Sequence, residues 1–298
     1  MKPLALPFTP GIRYMLLSTL SFAVMNVFIK KVSHLPAMEI VFFRCLVSMV
    51  MCFVIIFQEK ADWKGSNRKL LLARGLFGTL ALYTFFVTIQ NIPLGTAVTI
   101  QYLSPVFTTI IAIFFLNEKV KALQWLFFAI SFAGVLVIKG FDSSISLAML
   151  AIGITSALAS GFAYNMVRSL KEKEHTMVVV LHFQLIGAVT GLLFTLFNWQ
   201  TPVGIEWFYL IMIGVCTQLG QVNLTKALQR EKIANVSIFN YLGILYALVF
   251  GIVLFGEQYA GLTIWGIALV VGGVLLNYFY QRSQNKLVAE EELTTIEE

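Results

Sequence analysis

Long apolar runs separated by short polar or Pro/Gly punctuation dominate the chain. They fall at about residues 12–29, 38–57, 70–90, 94–116, 122–138, 145–167, 177–197, 207–228, 233–255 and 261–280. A hydrocarbon core about 30 Å thick takes about 20 apolar residues per helix, so each run predicts one membrane crossing. The runs are rich in Leu, Ile, Val, Phe and Ala, without the strict alternation of a membrane barrel. The first run ends at Lys30 and Lys31 with no small-residue cleavage site and leads straight into the second. It is therefore expected to remain as a span and not to be removed as a signal peptide.

The distribution of charge tests this map. With the N-terminus placed inside the cell, 15 of the 21 Lys and Arg residues fall on the cytoplasmic side, and only Lys30, Lys31 and Lys139 fall outside. Arg44, Arg74 and Lys226 lie within spans. Short cytoplasmic loops carry the positive excess, so the pattern predicts a multi-pass protein of the plasma membrane with both termini in the cytoplasm. The sequons at Asn223 and Asn235 then sit near the cytoplasmic face and are expected to stay unglycosylated.

Composition agrees. Of 298 residues, 58% are apolar and 12% charged, where a soluble domain carries about a quarter charged, and ten spans leave no room for a soluble domain. Five acids, Glu290, Glu291, Glu292, Glu297 and Glu298, crowd into the C-terminal end, so residues 283–298 form an acidic tail on a basic body. Such a body reflects the cytoplasmic loop bias; no basic, aromatic-interleaved segment points to a nucleic-acid partner. Cys45, Cys52 and Cys216 lie in apolar runs without metal or redox spacing and read as packing residues.

Residues 90–137 align with 229–276 at a constant offset of 139, with ten identities in 48 positions. Gln90 meets Gln229, Tyr102 and Leu103 meet Tyr241 and Leu242, Glu118 meets Glu257, and Gly134-Val135-Leu136 meets Gly273-Val274-Leu275. Five spans per half is an odd number, so the second copy must run upside down relative to the first. The fold class expected is an all-α integral membrane protein of ten transmembrane helices in a 5+5 inverted-topology repeat. Residues 1–140 and 141–282 are the two halves. Inverted repeats around a midplane site are a common plan of secondary transporters.

The first-half residues Ser104-Pro105, Leu116-Asn117-Glu118 and Gly134-Val135-Leu136, with Ala227-Leu228, Phe255-Gly256-Glu257 and Gly272-Gly273-Val274 in the second half, resemble the EamA-like ten-helix branch of the drug/metabolite transporter superfamily. The resemblance covers almost the whole chain. It implies alternating access, transport of a small metabolite such as an amino acid, nucleobase, vitamin or organic anion, and a central cavity lined mainly by spans 1, 3, 4, 6, 8 and 9. The second copy has Ile244 where the first has Pro105, so a matched helix break in both halves is not implied.

Arg44 lies about 10 Å inside the second span by helical rise, where a charge costs a few kcal/mol. It reads either as an anchor for an anionic solute or as a structural residue paired with helix carbonyls or Glu39. Arg74 and Lys226 lie nearer the cytoplasmic ends, where snorkelling accounts for them. Among the polar midspan residues, Asn26, Gln101, Tyr102, Asn165, Gln218, Gln221, Asn240 and Tyr241 are the remaining candidates for substrate binding. The alternative for each amide is helix-to-helix hydrogen bonding. The repeat brings Gln101-Tyr102 and Asn240-Tyr241 to face one another, and Gln218, Gln221 and Thr225 share one stripe of span 8.

No Asp or Glu lies near the middle of a span, which favours facilitated diffusion or exchange over proton or sodium coupling. Neither metal nor cofactor is expected, and no P-loop supplies an ATP motor. An integral-membrane enzyme acting on lipid lacks its H-E-x-x-H, G-x-S-x-G or paired-aspartate signature. A broad-specificity drug exporter is the alternative within transport. The partners are a small-molecule solute and the lipid bilayer. Small residues Ala129 and Ala133 on span 5, with Ala268 and Gly272 on span 10, mark faces where a homodimer would pack.

Overall fold

The computed structural model describes residues 9–60, 62–115, 120–141, 145–170, 173–230, 239 and 241–297, and among them every regular element is a helix. The helices are α1 Pro10–Lys31, α2 Ala37–Glu59, α3 Arg68–Asn91, α4 Leu94–Gln101, α5 Ser104–Phe115, α6 Ala122–Phe141, α7 Leu147–Leu170 and α8 Thr176–Thr195. They continue with α9 Glu206–Arg230, α10 Leu242–Phe255 and α11 Gly261–Glu297. Nine stretches among the described residues are long and apolar enough to cross a membrane, with Leu94–Phe115 taken as one, and α10 is a shorter apolar helix. The chain is a multi-pass, all-helical membrane protein.

Local chemistry sets the boundaries. Thr9 caps α1 by accepting from the Ile12 amide, ahead of Pro10, where a missing N–H costs nothing. Asn67 caps α3 in the same way, and α10 stops at Gly256, whose φ of 63° reverses the chain. The C-terminal segment continues α11 as helix to Glu297, so the helix outruns the apolar stretch Gly261–Gln281 that fits a bilayer.

The fourth span is not continuous. Tyr102 and Leu103 form a turn between α4 and α5, and Pro105 follows, lacking the N–H an unbroken helix would use. In the second half Tyr241 stands in a turn directly before α10. There Ile244 donates to the Tyr241 carbonyl at 3.1 Å, so a tight turn forms at the equivalent tyrosine without proline. The residues before it, 231–238 and 240, lie outside the described set.

Close packing relies on glycine. α6 and α11 cross with a Gly134 Cβ position 2.6 Å from the Gly266 carbonyl and 2.7 Å from the Val270 amide. A Cβ on Gly273 would meet the Phe127 carbonyl at 2.6 Å and the Ser131 amide at 2.8 Å. The offset of 139 converts the first set of neighbours into the second, so this crossing is symmetric under exchange of the halves. The helix pairings follow the same exchange: α1 packs on α9 as α7 packs on α3, and α2 packs on α9 as α8 packs on α3. Ala129, Ala133 and Ala268 are on the exposed side of the α6/α11 pair.

Gly134→Ala is expected to cost about 1–3 kcal/mol, because the methyl meets backbone that cannot rotate away. Gly272→Ala, with nothing within 4 Å of the added carbon, should leave stability unchanged. Thermal unfolding of the purified protein in detergent checks this, and equal midpoints for the two variants would contradict the packing.

Candidate functional site

Arg44 is buried in α2, 4% exposed. Its Nη1 donates to Gln184 Oε1 of α8 at 3.3 Å, and Gln184 Nε2 donates to Ser48 Oγ at 2.9 Å. The Ser48 hydroxyl, one turn from Arg44 on α2, donates to Gln218 Oε1 of α9 at 2.7 Å, and Cys52 Sγ lies 3.5 Å from the same oxygen. A polar chain therefore crosses three helices in the interior. It is not closed among the described residues, where Arg44 Nε and Gln218 Nε2 are buried without a partner. Glu39, the structural partner considered for Arg44, accepts instead from the Gln200 amide.

Arg74 does not snorkel. Its Nε and Nη1 are buried and have no hydrogen-bond partner among the described residues, and its guanidinium lies 4.4 Å from the centroid of Phe183 in α8. Arg44 is 5.5 Å from the same ring, which bounds the separation of the guanidinium carbons at about 10 Å. The helix orients Arg74 inward: a Cβ on Gly78, one turn on, would fall against Arg74 Nη1 and the Phe183 ring edge. At about 10 Å and an effective dielectric near 20, two positive charges repel by about 2 kcal/mol. Among the described residues neither arginine has a carboxylate within ion-pair distance. Lys226 is exposed beside the Tyr14 ring, in keeping with snorkelling.

The other candidates divide. Tyr102 and Tyr241 meet at the two turns with ring centroids 5.4 Å apart, the encounter that repeat symmetry predicts. Gln101 is tied to α7, donating to Ser160 Oγ at 2.8 Å, with Oε1 2.7 Å from Ser156 Oγ. Asn165 donates to the carbonyls of Thr108 and Gly161 at 2.9 Å, and its buried Oδ1 is unpaired among the described residues. Asn26 is buried with its Oδ1 also unpaired. Gln221 is half-buried on α9; Asn240, Glu118, Asn235 and the Thr225 side chain lie outside the described residues. His182 engages the Val178 carbonyl of its own helix, at 2.9 Å.

One end of the bundle is tied together by a carboxylate. Glu257, between α10 and α11, accepts from the Leu94 amide at 2.8 Å, from the Tyr259 hydroxyl at 2.6 Å, and pairs with Lys30 Nζ at 3.3 Å. Tyr259 in turn accepts from the Gly95 amide at 3.0 Å. A helix N-terminus with free amides attracts negative charge, so Glu257 pins the start of α4 and the end of α1 to the second half. At the opposite end Glu174 accepts from the Ser66 amide at 2.6 Å and the Ser66 hydroxyl at 2.7 Å, joining the loops before α3 and α8.

The model of the EamA-like transporter family matches the chain twice, over residues 9–140 and 147–279. The chain belongs to the EamA-like transporter family. This transporter is 30% identical over 264 residues to the pseudopaline exporter CntI of Pseudomonas aeruginosa, covering 88% of this chain and 93% of that protein. It is 30% identical over 295 residues to human solute carrier family 35 member G1, covering 92% and 81%. An S-adenosylmethionine uptake transporter of Rickettsia felis is 24% identical over 277 residues, covering 91% and 93%. A crystal structure of a protein at 18% identity shares the fold, with a TM-score of 0.61 over 92% of this chain and 97% of the other. The family and these named relatives are transporters and not enzymes.

Gln184→Leu in this EamA-like transporter removes the acceptor for Arg44 and is expected to destabilise by about 1–3 kcal/mol, the cost of leaving a buried donor unmade. Unfolding midpoints measure it. A variant as stable as the parent would show that the α2/α8 polar chain contributes nothing.

Proposed function

We propose that the protein is a secondary transporter that moves a small metabolite by alternating access, with two inverted five-helix repeats, residues 1–140 and 141–282, rocking about a midplane path. The observation that carries this reading is the Glu257 seal, which joins α1 and α4 of one half to the α10–α11 loop of the other through groups that separate without breaking a helix. The reciprocal α6/α11 crossing and the two family matches support paired repeats. The 15-to-3 bias of positive residues supports a plasma-membrane protein with cytoplasmic termini and the Glu257 seal on the outside. The acidic tail, as the end of α11, then projects into the cytoplasm.

In this reading Asn26, Arg44, Gln101, Tyr102, Asn165, Gln218, Gln221, Asn240 and Tyr241 line or brace the solute path, and the Tyr102–Tyr241 pair closes its middle. A carrier without a motor runs in the direction its gradients set, which suits a family whose relatives are named for export and for uptake. The exposed alanine face of α6 and α11 is where a second copy would dock.

Proteoliposome counterflow against a panel of amino acids, nucleobases, vitamins and organic anions tests transport itself; no flux of any of them would weigh against it. Glu257→Gln tests the seal. Loss of about 1.4 kcal/mol from the closed state raises the open population tenfold. Val98→Cys, one turn below Leu94 and buried, should then label about tenfold faster with an impermeant maleimide added outside. The three native cysteines are buried and serve as background. An unchanged labelling rate would contradict a gating role.

A further inference from the structure

We propose that Arg44 and Arg74 together form the binding site for a small organic dianion, gripped through its carboxylate or other oxyanion groups beside Phe183. The proposal rests on the transport reading only in making the occupant the carried solute. A lone buried arginine is often matched by a carboxylate, yet the described acids near the bundle are engaged elsewhere. Glu39 accepts from Gln200, Glu257 from Leu94 and Lys30, Glu206 pairs with His34, and Glu174 holds the α3 loop. Two cations stand on one aromatic ring, and among the described residues three of their nitrogens have no hydrogen-bond partner: Arg44 Nε, Arg74 Nε and Arg74 Nη1.

The dimensions suit an anion. A carboxylate bridging two guanidinium forks at charge-assisted hydrogen-bond distance holds their carbons roughly 8 Å apart, inside the bound of about 10 Å set by Phe183. A short dicarboxylate gives each arginine its own group and cancels both charges. The guanidinium is planar by delocalisation and offers paired N–H donors along one edge, which a lysine point charge could not do. Gln184 fixes Arg44 from behind through Nη1 and leaves Nε free. Arg74 is only half-buried as a residue, so the pair is not sealed on every side.

The test is thermal stabilisation of the full chain in detergent at constant ionic strength by succinate, by inorganic phosphate, and by succinamide as the uncharged isostere. Succinate at about 100 times its Kd is expected to raise Tm by about 5 °C, with succinamide inert. A response to phosphate as well would support an oxyanion site that also takes phosphorylated solutes. Arg44→Gln and Arg74→Gln should each abolish the shift. Arg44→Lys and Arg74→Lys keep the charge and should weaken apparent affinity about tenfold or more, which keeps the proposal testable if a glutamine variant does not fold. Lys226→Gln, an exposed cation elsewhere, should change nothing. Equal effects of succinate and succinamide, no effect of either anion, or shifts surviving in both arginine variants would overturn the site. Counterflow of neutral solutes that persists without anion binding would leave transport standing and remove only this proposal. Arginine-dependent anion binding without flux would do the reverse.

Discussion

Uncompensated positive charge inside an apolar bundle is the condition to which much of the interior answers. A bilayer offers neither water nor counter-ions to a guanidinium, so Arg44 and Arg74 persist only because protein surrounds them. Phe183 offers its π-electrons to both, and Gln184, Ser48 and Gln218 carry polarity from α2 across to α8 and α9. Those three helices must lie close for the chain to form. Gly187 against Cys45, Gly191 against Phe42 and Gly214 against Val47 supply that closeness. The same small-residue logic holds α6 to α11, so backbone proximity substitutes for the hydrophobic drive that lipid does not provide.

The two ends of the bundle are held together differently from its interior. Carboxylates cap exposed amides at both, Glu257 at the start of α4 and Glu174 at the start of α3. Neither cap sits at mid-depth. A charge-assisted contact at a rim separates with modest cost because water replaces it, whereas the polar chain around Arg44 is buried and has no such substitute. Motion is therefore expected at the rims and at the Tyr102 and Tyr241 turns, where helices are already interrupted, while the α2/α8 contact stays put.

Spans and the pairing of the tyrosines were legible because each depends on one dimension: length of an apolar run, or register of a repeat. Tyr102 and Tyr241 could be placed together from the offset of 139 alone. Rotation about a helix axis was not legible. Arg74, judged by its depth near a helix end, reads as a snorkelling residue, yet Gly75 and Gly78 turn its face towards α8. Gln101 reads as a cavity amide and is bound on both sides by Ser156 and Ser160. Ser48 was detectable in principle, four residues from Arg44 and so on its face. Phe183 carried no signal among so many aromatic residues. The break at Tyr241 was hidden because a tight turn needs no proline to form.

The most direct measurement is the unfolding midpoint of Arg74→Met in the absence of solute. If Arg74 is a charge kept for an incoming anion, its removal relieves desolvation and repulsion from Arg44, and the ligand-free protein gains stability even as anion binding is lost. A large loss, of the 3–5 kcal/mol that follows from breaking a buried ion pair, would show that Arg74 is already neutralised within the fold and would contradict the account.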